Sequence, residues 1–306
     1  MPLGFVMADK PAGAAGGSLY IVATPIGNLS DITLRALEVL KTVAFVAAED
    51  TRHTRKLLSH YRISARLISC NEHNERERAV EIVKKISDGA SAALLSDAGT
   101  PTVSDPGYRV LQAAISANLR IVPIPGASAA ITALSAAGLP SDAFLFAGFL
   151  SHKSAKRRAR LKQLANEPVT LIFYESPNRI TALLQEVVEL LGNRPVALAR
   201  EMTKRYEEFI RGPAEDVMAN LQGRSDIKGE VTLLVSGKKD DAGDVSEELE
   251  DAIGRALREG STGGAKLSRE LAARYGVPKN KIYEMILQVK AKLNAGNGEK
   301  GDGSHG

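Results

Sequence analysis

SDAGTPTVSDPG, residues 96–107, follows the apolar run Ala92-Ala93-Leu94-Leu95 and precedes an amphipathic stretch over residues 108–117. Four consecutive apolar residues bounded by turn formers mark a short buried strand, and the stretch beyond has the spacing of a helix. The junction therefore places Asp97, Gly99, Pro101, Asp105, Pro106 and Gly107 where a strand hands over to a helix. It matches neither GxGxxG nor the phosphate-binding GxxxxGK[ST] pattern. What it holds must be read from its surroundings.

Outward from this junction the alternation repeats. Residues 19–23, 43–47, 92–95 and 120–124 read as strands, with a weaker candidate at 66–69, and residues 31–41, 52–60, 74–88, 105–118 and 128–137 read as helices. Strands that are apolar almost throughout, alternating with helices, predict a parallel sheet covered on both faces. After Pro140 the pattern changes. Strand signals at 144–149, 169–174, 196–199, 208–211 and 230–235 are joined by helices near 153–165, 177–191 and 213–222. The signals around 196–199 and 208–211 have no helix between them, which predicts mixed or antiparallel pairing in a second sheet. A polar stretch, 237–246, reads as a linker before three helical patterns at 246–259, 265–275 and 278–292. The turn Tyr275-Gly276-Val277-Pro278 between the last two gives them a helix-turn-helix outline. The expectation is an α/β chain: a parallel-sheet domain over 18–138, a mixed-sheet α/β domain over 139–237 and a small helical domain over 246–294. Residues 1–17 and 295–306, rich in glycine and without periodicity, are expected to be disordered.

The bulk composition agrees with a globular chain. Of 306 residues, 44% are hydrophobic and 25% charged. Both shares are ordinary for a globular domain. No stretch has the length of a membrane span and the opening residues lack a secretory signal, which together point to the cytoplasm. A single cysteine, Cys70, cannot form an internal disulfide or a thiolate cluster, and the five histidines form no HxxxH or HxH pair, so no bound metal is expected. The net charge of +4 permits a polyanionic partner without requiring one. Six cations, Lys153, Lys156, Arg157, Arg158, Arg160 and Lys162, fall within ten residues that include no acid. Taken alone, such a run is a solvated helix face.

In an open parallel sheet, ligands bind at the carboxyl ends of the strands. The loops there are Thr24-Pro25-Ile26-Gly27-Asn28-Leu29, Glu49-Asp50-Thr51-Arg52, the 96–107 junction and Pro125-Gly126-Ala127-Ser128. Small residues and carboxylates at one edge suit a ligand with cationic and hydroxyl groups, such as an amino acid's ammonium, a sulfonium or a ribose. Asp97 and Asp105 would repel a phosphate.

The strings LYIVATPIGNLSDITLRALEVLK, AEDTRHTRKLL, SDAGTPTVSDPG, VPIPGASAAITAL, FLFAGFL, LIFYESPNRI, REMTKRYEEFIRG and KGEVTLLVSG resemble, in order over residues 19–237, the ribosomal RNA small subunit methyltransferase I family of the tetrapyrrole methylase fold class. The helical tail is similar to that family's appended helix-turn-helix domain. The resemblance implies methyl transfer from S-adenosylmethionine to the ribose 2'-hydroxyl of a cytidine in the decoding centre of 16S ribosomal RNA, by a homodimer acting on the small ribosomal subunit. Carried over motif by motif, it implies cofactor contacts from Pro25, Asp97, Ala98, Gly99, Thr100 and Ser128. Tyr174, Gly229, Glu230 and Val231 would frame the adenine.

A hydroxyl is a poor nucleophile while protonated, so a proton acceptor beside it would help. Glu49 and Asp50 are the candidates for such a base or orienting acid, with Glu175 in reserve. A competing account makes Glu49 and Arg52 a structural ion pair at a helix start. Arg52, Arg55 and Lys56, and the run Lys153, Lys156, Arg157, Arg158 and Arg160, are candidates to hold RNA phosphates. Two other readings stay open: a small-molecule methyltransferase of the same fold acting on a tetrapyrrole precursor, and a non-catalytic ribosome-binding protein.

Overall fold

The computed structural model describes residues 17–224, 226–238, 242–258, 264–275 and 277–298. They fall into two compact units, divided after Lys238. The expected disorder of 1–16 and 299–306, and the turn residue Gly276, lie outside the described residues.

The first unit opens with a five-stranded sheet. Its strands are β1 (Ser18–Val22), β2 (Phe45–Ala48), β3 (Leu67–Ser69), β4 (Ala92–Leu95) and β5 (Arg120–Ile124). The order is β3-β2-β4-β1-β5, and every pairing is parallel. β2 and β4 are buried at every position because both sheet faces are covered. Helices α1 (Leu34–Thr42) and α2 (Thr51–His60) supply one apolar layer, with Val39, Leu40, Leu57 and Leu58 against Val46 and Leu95. Helices α3 (Glu75–Ser87) and α4 (Tyr108–Ser116) supply the other, with Ile82, Ile86 and Val110 against Leu19 and Leu94. α1 starts three residues later than its periodicity suggests: Leu29–Asp31 form a 3-10 turn, and the Thr33 side chain accepts from the Ala36 N–H to cap the helix.

The second sheet contains β6 (Phe144–Phe149), β7 (Thr170–Glu175), β8 (Pro195–Arg200), β9 (Glu208–Pro213) and β10 (Val231–Val235), in the order β6-β7-β10-β8-β9. β6 and β7 are parallel; β7, β10, β8 and β9 are successively antiparallel. Helices α6 (Ser154–Leu164), α7 (Ile180–Leu191) and α8 (Ala214–Gln222) pack their apolar stripes on one face. The other face is covered by α5 (Ala129–Ala137), whose Ala130, Ala133 and Leu134 meet Ile172, Ala197 and Leu234. The helix that follows the last strand of the first sheet is thus a roof for the second, and the two sheets share one compact unit.

In the second unit, α9 (Ala242–Arg258), α10 (Gly264–Tyr275) and α11 (Lys279–Gly298) enclose Leu249, Ile253, Leu267, Leu271, Ile282, Ile286 and Val289. α9 begins inside the polar stretch read as a linker, since polarity alone does not stop a helix and no proline interrupts 242–258. α11 likewise runs through 295–298, expected to be irregular. Among the described residues, no helix is long and apolar enough to cross a membrane.

Candidate functional site

The strand-end loops of the first sheet are tied to one another. Thr24 and Gly99 exchange backbone hydrogen bonds, Thr24 N–H to Gly99 O at 2.8 Å and Gly99 N–H to Thr24 O at 3.0 Å. Gly99 takes φ 80°. That is a left-handed conformation that favours glycine. The Thr100 hydroxyl donates to Ala127 O at 3.1 Å, which joins the third loop to the fourth. The loop after β2 is joined reciprocally: the Asp97 N–H donates to Glu49 Oε2 at 3.3 Å, and the Asp50 N–H donates to Asp97 Oδ1 at 3.0 Å.

This edge faces a cavity of about 400 Å³. Such a volume suits a small organic ligand. One wall comes from the first sheet's loops and the opposite wall from the second sheet. Of the sequence candidates, Glu49, Asp97, Ala98, Gly99, Thr100, Ser128, Tyr174, Gly229, Glu230 and Val231 all line it, and Glu175 touches it. Pro25 does not; its neighbour Ile26 takes that place, because Ile26 is the residue turned inward into the apolar cluster beneath α5.

The neighbouring acids Glu49 and Asp50 separate. Asp50 is the N-cap of α2: its Oδ1 accepts from the Arg52 N–H at 2.8 Å, and Arg52 Nη2 closes on Oδ2 at 2.7 Å. The Arg52 hydrogen bonds hold its carboxyl well below the usual carboxylate range. Asp50 is thus not a base facing the cavity, and the ion pair at the helix start is Asp50–Arg52 rather than Glu49–Arg52. Glu49 faces the cavity. Burial raises its carboxyl above the ordinary value; the Asp97 N–H opposes this, while the Asp97 and Asp50 charges add to it.

Asp105 also lines the cavity rather than capping the helix that follows. Burial, then the Glu49 charge, push its carboxyl up to about 6. Both causes disfavour the charged form. The cap of α4 comes from another helix: Glu75 Oε1 accepts from the Gly107 N–H at 2.9 Å and the Arg109 N–H at 2.6 Å. A buried glutamate on α3 satisfying the start of α4 leaves no mark in local sequence. Between Gly99 and Gly107, Thr102 (φ 71°) and Ser104 (φ 66°) also adopt the left-handed conformation. That costs about 1 kcal/mol or more per non-glycine residue. Such strain is held where surrounding contacts over-determine the loop.

One such contact reaches the second sheet. The β6–β7 register shifts between Phe146 and Gly148, and Gly148 takes φ 63°. A Cβ at Gly148 would lie 2.8 Å from Ser104 Oγ, so the glycine, already favoured by its φ, lets the 96–107 loop rest closely on this bulge. Phe149, just beyond, lines the cavity while 62% exposed, edge-on to Tyr174 at 5.5 Å. The Tyr174 hydroxyl accepts from the Ala130 N–H at 3.0 Å, and burial raises its pKa. Phe149, Val103, Ala129, Ser176, Pro177 and Thr232 are lining residues that the sequence reading did not single out. Phe149 could have been found from the glycine before it, which breaks the period of a strand.

Glu175 is committed elsewhere. Its carboxylate is buried, accepts from the Ser176 N–H at 2.7 Å and pairs with Arg179 Nη2 at 2.6 Å, so it holds the β7–α7 connection together rather than standing free as a base. Arg157 is the other correction. Its guanidinium grips Glu186 of α7 through Nε and Nη2, at 2.6 and 2.8 Å, and its side chain is only 9% exposed. It cannot reach an RNA phosphate. Arg158 pairs with Glu189 on the surface, and Arg160 bonds to Gln163. Lys153, Lys156, Arg55 and Lys56 are exposed.

A cavity with carboxylates lacking a salt-bridge partner among the described residues on one wall, and aromatic and apolar groups beside paired acids on the other, fits a ligand that joins a cation to a flat ring. It lies where a parallel sheet's carboxyl edge meets a second, mixed sheet, and this arrangement defines a class: residues 18–218 match the family of Tetrapyrrole (Corrin/Porphyrin) Methylases. A uroporphyrin-III C-methyltransferase from Thermus thermophilus, solved in complex with S-adenyl homocysteine, superposes with a TM-score of 0.51 over 72% of this chain and 97% of its own. At 17% identity that likeness speaks for the fold alone. Closer relatives are named ribosomal RNA small subunit methyltransferase I. That from Escherichia coli O157:H7 is 47% identical over 89% of this chain and 95% of its own. That from Micromonospora olivasterospora is 45% identical over 89% and 87%. The chain belongs to the ribosomal RNA small subunit methyltransferase I family.

Proposed function

We propose that this chain transfers a methyl group from S-adenosylmethionine to the ribose 2'-hydroxyl of a cytidine in the decoding centre of 16S ribosomal RNA, as a homodimer acting on the small ribosomal subunit. Its membership of the family makes it an S-adenosylmethionine-dependent methyltransferase acting on ribosomal RNA. The observation that supports the cofactor's place in this reading is the two-walled cavity, in which the carboxylates of Glu49, Asp97 and Asp105 face aromatic and apolar groups.

The cofactor, when bound, supplies a methyl group on a sulfonium, a cationic leaving centre. Asp97 suits its ammonium or ribose hydroxyls, and the backbone at Ala98, Gly99 and Thr100 suits a close approach of the amino-acid portion. Val231 and the turn at Gly229 and Glu230 suit the adenine, with Tyr174 and Phe149 beside it. In-line displacement depends on alignment of oxygen, carbon and sulfur, so positioning supplies much of the rate. As the new O–C bond forms, the hydroxyl proton must leave. Glu49, with its carboxyl raised by burial, is the group placed to orient that hydroxyl or accept the proton. Lys153, Lys156, Arg55 and Lys56 are exposed cations available to phosphates.

Incubation of labelled S-adenosylmethionine with unmethylated small subunits, free 16S ribosomal RNA and a porphyrin precursor tests the reading. Label is expected in the RNA, at one nucleotide whose 3' linkage becomes resistant to alkali. Label on the tetrapyrrole alone overturns it. Glu49→Gln is expected to slow transfer by about 100-fold or more at unchanged cofactor affinity; undiminished turnover removes Glu49 from the mechanism.

A further inference from the structure

The β8–β9 connection ends in an aromatic side chain held out into solvent. Tyr206 is 66% exposed, and the Arg205 guanidinium lies over its ring at 5.6 Å from the centroid. Arg205 has no acidic partner among the described residues. Exposed tyrosines on loose loops are common and mean little; this one stands on a constrained turn. Met202 is buried in the same apolar cluster as Ile26. Lys204 Nζ bridges Glu201 at 2.7 Å and Glu230 at 3.0 Å. The Thr203 N–H donates to Glu207 Oε2 at 2.6 Å, which closes the turn on itself. Glu201 (φ 50°) and Thr203 (φ 66°) both adopt the left-handed conformation. The turn is therefore held in one shape at a cost.

The anchors of this turn are cavity residues. Glu230 and Gly229 line the cavity, and the Glu230 N–H donates to Glu201 Oε1 at 3.1 Å. On the other side, a Cβ on Gly27 would lie 2.6 Å from Lys204 Cγ and 2.8 Å from Thr203 Oγ1, so the loop carrying Ile26 packs directly against the turn. The turn is wedged between two cavity-lining segments, one from each sheet, and projects Arg205 and Tyr206 beyond them.

We infer that Tyr206 and Arg205 form a stacking platform for a ribosomal RNA base next to the methylated nucleotide, which rests on RNA being the substrate. To present a ribose to the cavity, a strand must be splayed and the neighbouring bases lose their own stacking partners. An exposed ring with a guanidinium on its face replaces that stacking without reading sequence, and the cation can meet the adjoining phosphate. Fixing the turn in advance removes the ordering cost at binding.

The test measures binding of the full-length protein to a 16S ribosomal RNA fragment containing the decoding region, alongside cofactor binding by calorimetry. Tyr206→Ala is expected to weaken RNA binding by about 10-fold to 100-fold and raise KM for RNA more than it lowers kcat, with cofactor affinity unchanged. Tyr206→Phe is expected to restore most of the loss. Replacing one neighbouring nucleotide by an abasic site should weaken the parent protein and leave Tyr206→Ala unaffected. RNA affinity within twofold of the parent in Tyr206→Ala overturns the platform, as does an equal loss in Tyr206→Phe. A shift of Tyr206→Ala to a smaller species in sedimentation also overturns it, by assigning the ring to a contact between copies. If the parent protein methylates no RNA, the functional reading itself fails; if it does and Tyr206→Ala binds normally, only the platform fails.

Discussion

The two walls of the cavity are built differently. The wall from the parallel sheet is made of strand-end loops, and its side chains there are carboxylates: Glu49, Asp97 and Asp105. The wall from the mixed sheet presents Phe149, Tyr174, Val231 and Thr232 from strands or a bulge, and its two carboxylates, Glu175 and Glu230, are each paired with a cation, Arg179 and Lys204. In a parallel sheet every strand ends at the same edge, so loops converge there and backbone N–H groups and short polar side chains collect. In a mixed sheet the ends alternate, and what reaches a ligand is the sheet's own half-buried surface. One wall therefore offers carboxylates with no salt-bridge partner among the described residues, and the other offers area beside acids already neutralised.

This contrast is tested most severely by removing what supports the second wall. Arg157→Ala strands Glu186 in a buried site, and loss of one partner of such a pair costs about 3 kcal/mol or more. The expected result is a lower urea midpoint for the first unit. Arg158→Ala, at a surface pair, should change it by less than about 1 kcal/mol; equal losses would mean that the Arg157 pair is not buried in solution.

A second variant separates charge from area. Asp97→Asn is expected to weaken S-adenosylmethionine binding by about 10-fold to 100-fold, the range of a charge-assisted hydrogen bond. Methylthioadenosine keeps the nucleoside but lacks the amino acid, and its binding should change by less than threefold. Equal losses for both ligands in calorimetry would show that the first wall does not read the ammonium.

A further effect is a pH dependence. Asp105 rises from 3.8 to about 6 in the fold, among Glu49, Asp97, Ser96 and Tyr174. A raised carboxyl pKa favours the fold when protonated. This contribution is therefore present below about 4 and lost as pH rises through about 6. Asp105→Asn should gain stability relative to the parent across that window and hold the gain above it, as read by thermal melts between pH 4 and pH 8. A stability difference that does not vary with pH would place Asp105 in solvent.

Much of the fold was legible because its signals are local. The runs at 92–95 and 231–235 are apolar or nearly so, and the structure buries every residue of both. The alternation of strand and helix that follows Ser18 predicts a parallel sheet, and the sheet is parallel. Most of the residues expected around a cofactor lie on one cavity, because they sit at strand ends and in turns whose place the pattern fixes. The missed features are those in which one segment answers another. Arg157 looks like part of a cationic run until Glu186, nearly thirty residues away, is brought against it. Glu75 caps a helix to which it does not belong. Asp50 and Glu49 are neighbours with the same charge, and only the turn into α2 decides which one caps and which one faces the ligand.

Where strands and helices form, that the first sheet is parallel and the second mixed, and which loops gather at the ligand edge all follow from the chain read as a string. Their causes are the spacing of apolar residues and turn chemistry, both of which act over a few residues. Which charged groups are free to act was settled only by packing. An acid or a cation is neutralised, buried or exposed according to what lies against it, and for Arg157, Glu175 and Asp105 the partner or the burial comes from the folded chain. The same holds for SDAGTPTVSDPG: its glycines and prolines announced a turn, but its place on the Gly148 bulge, across the cavity from Val231, came from the docking of one sheet on another.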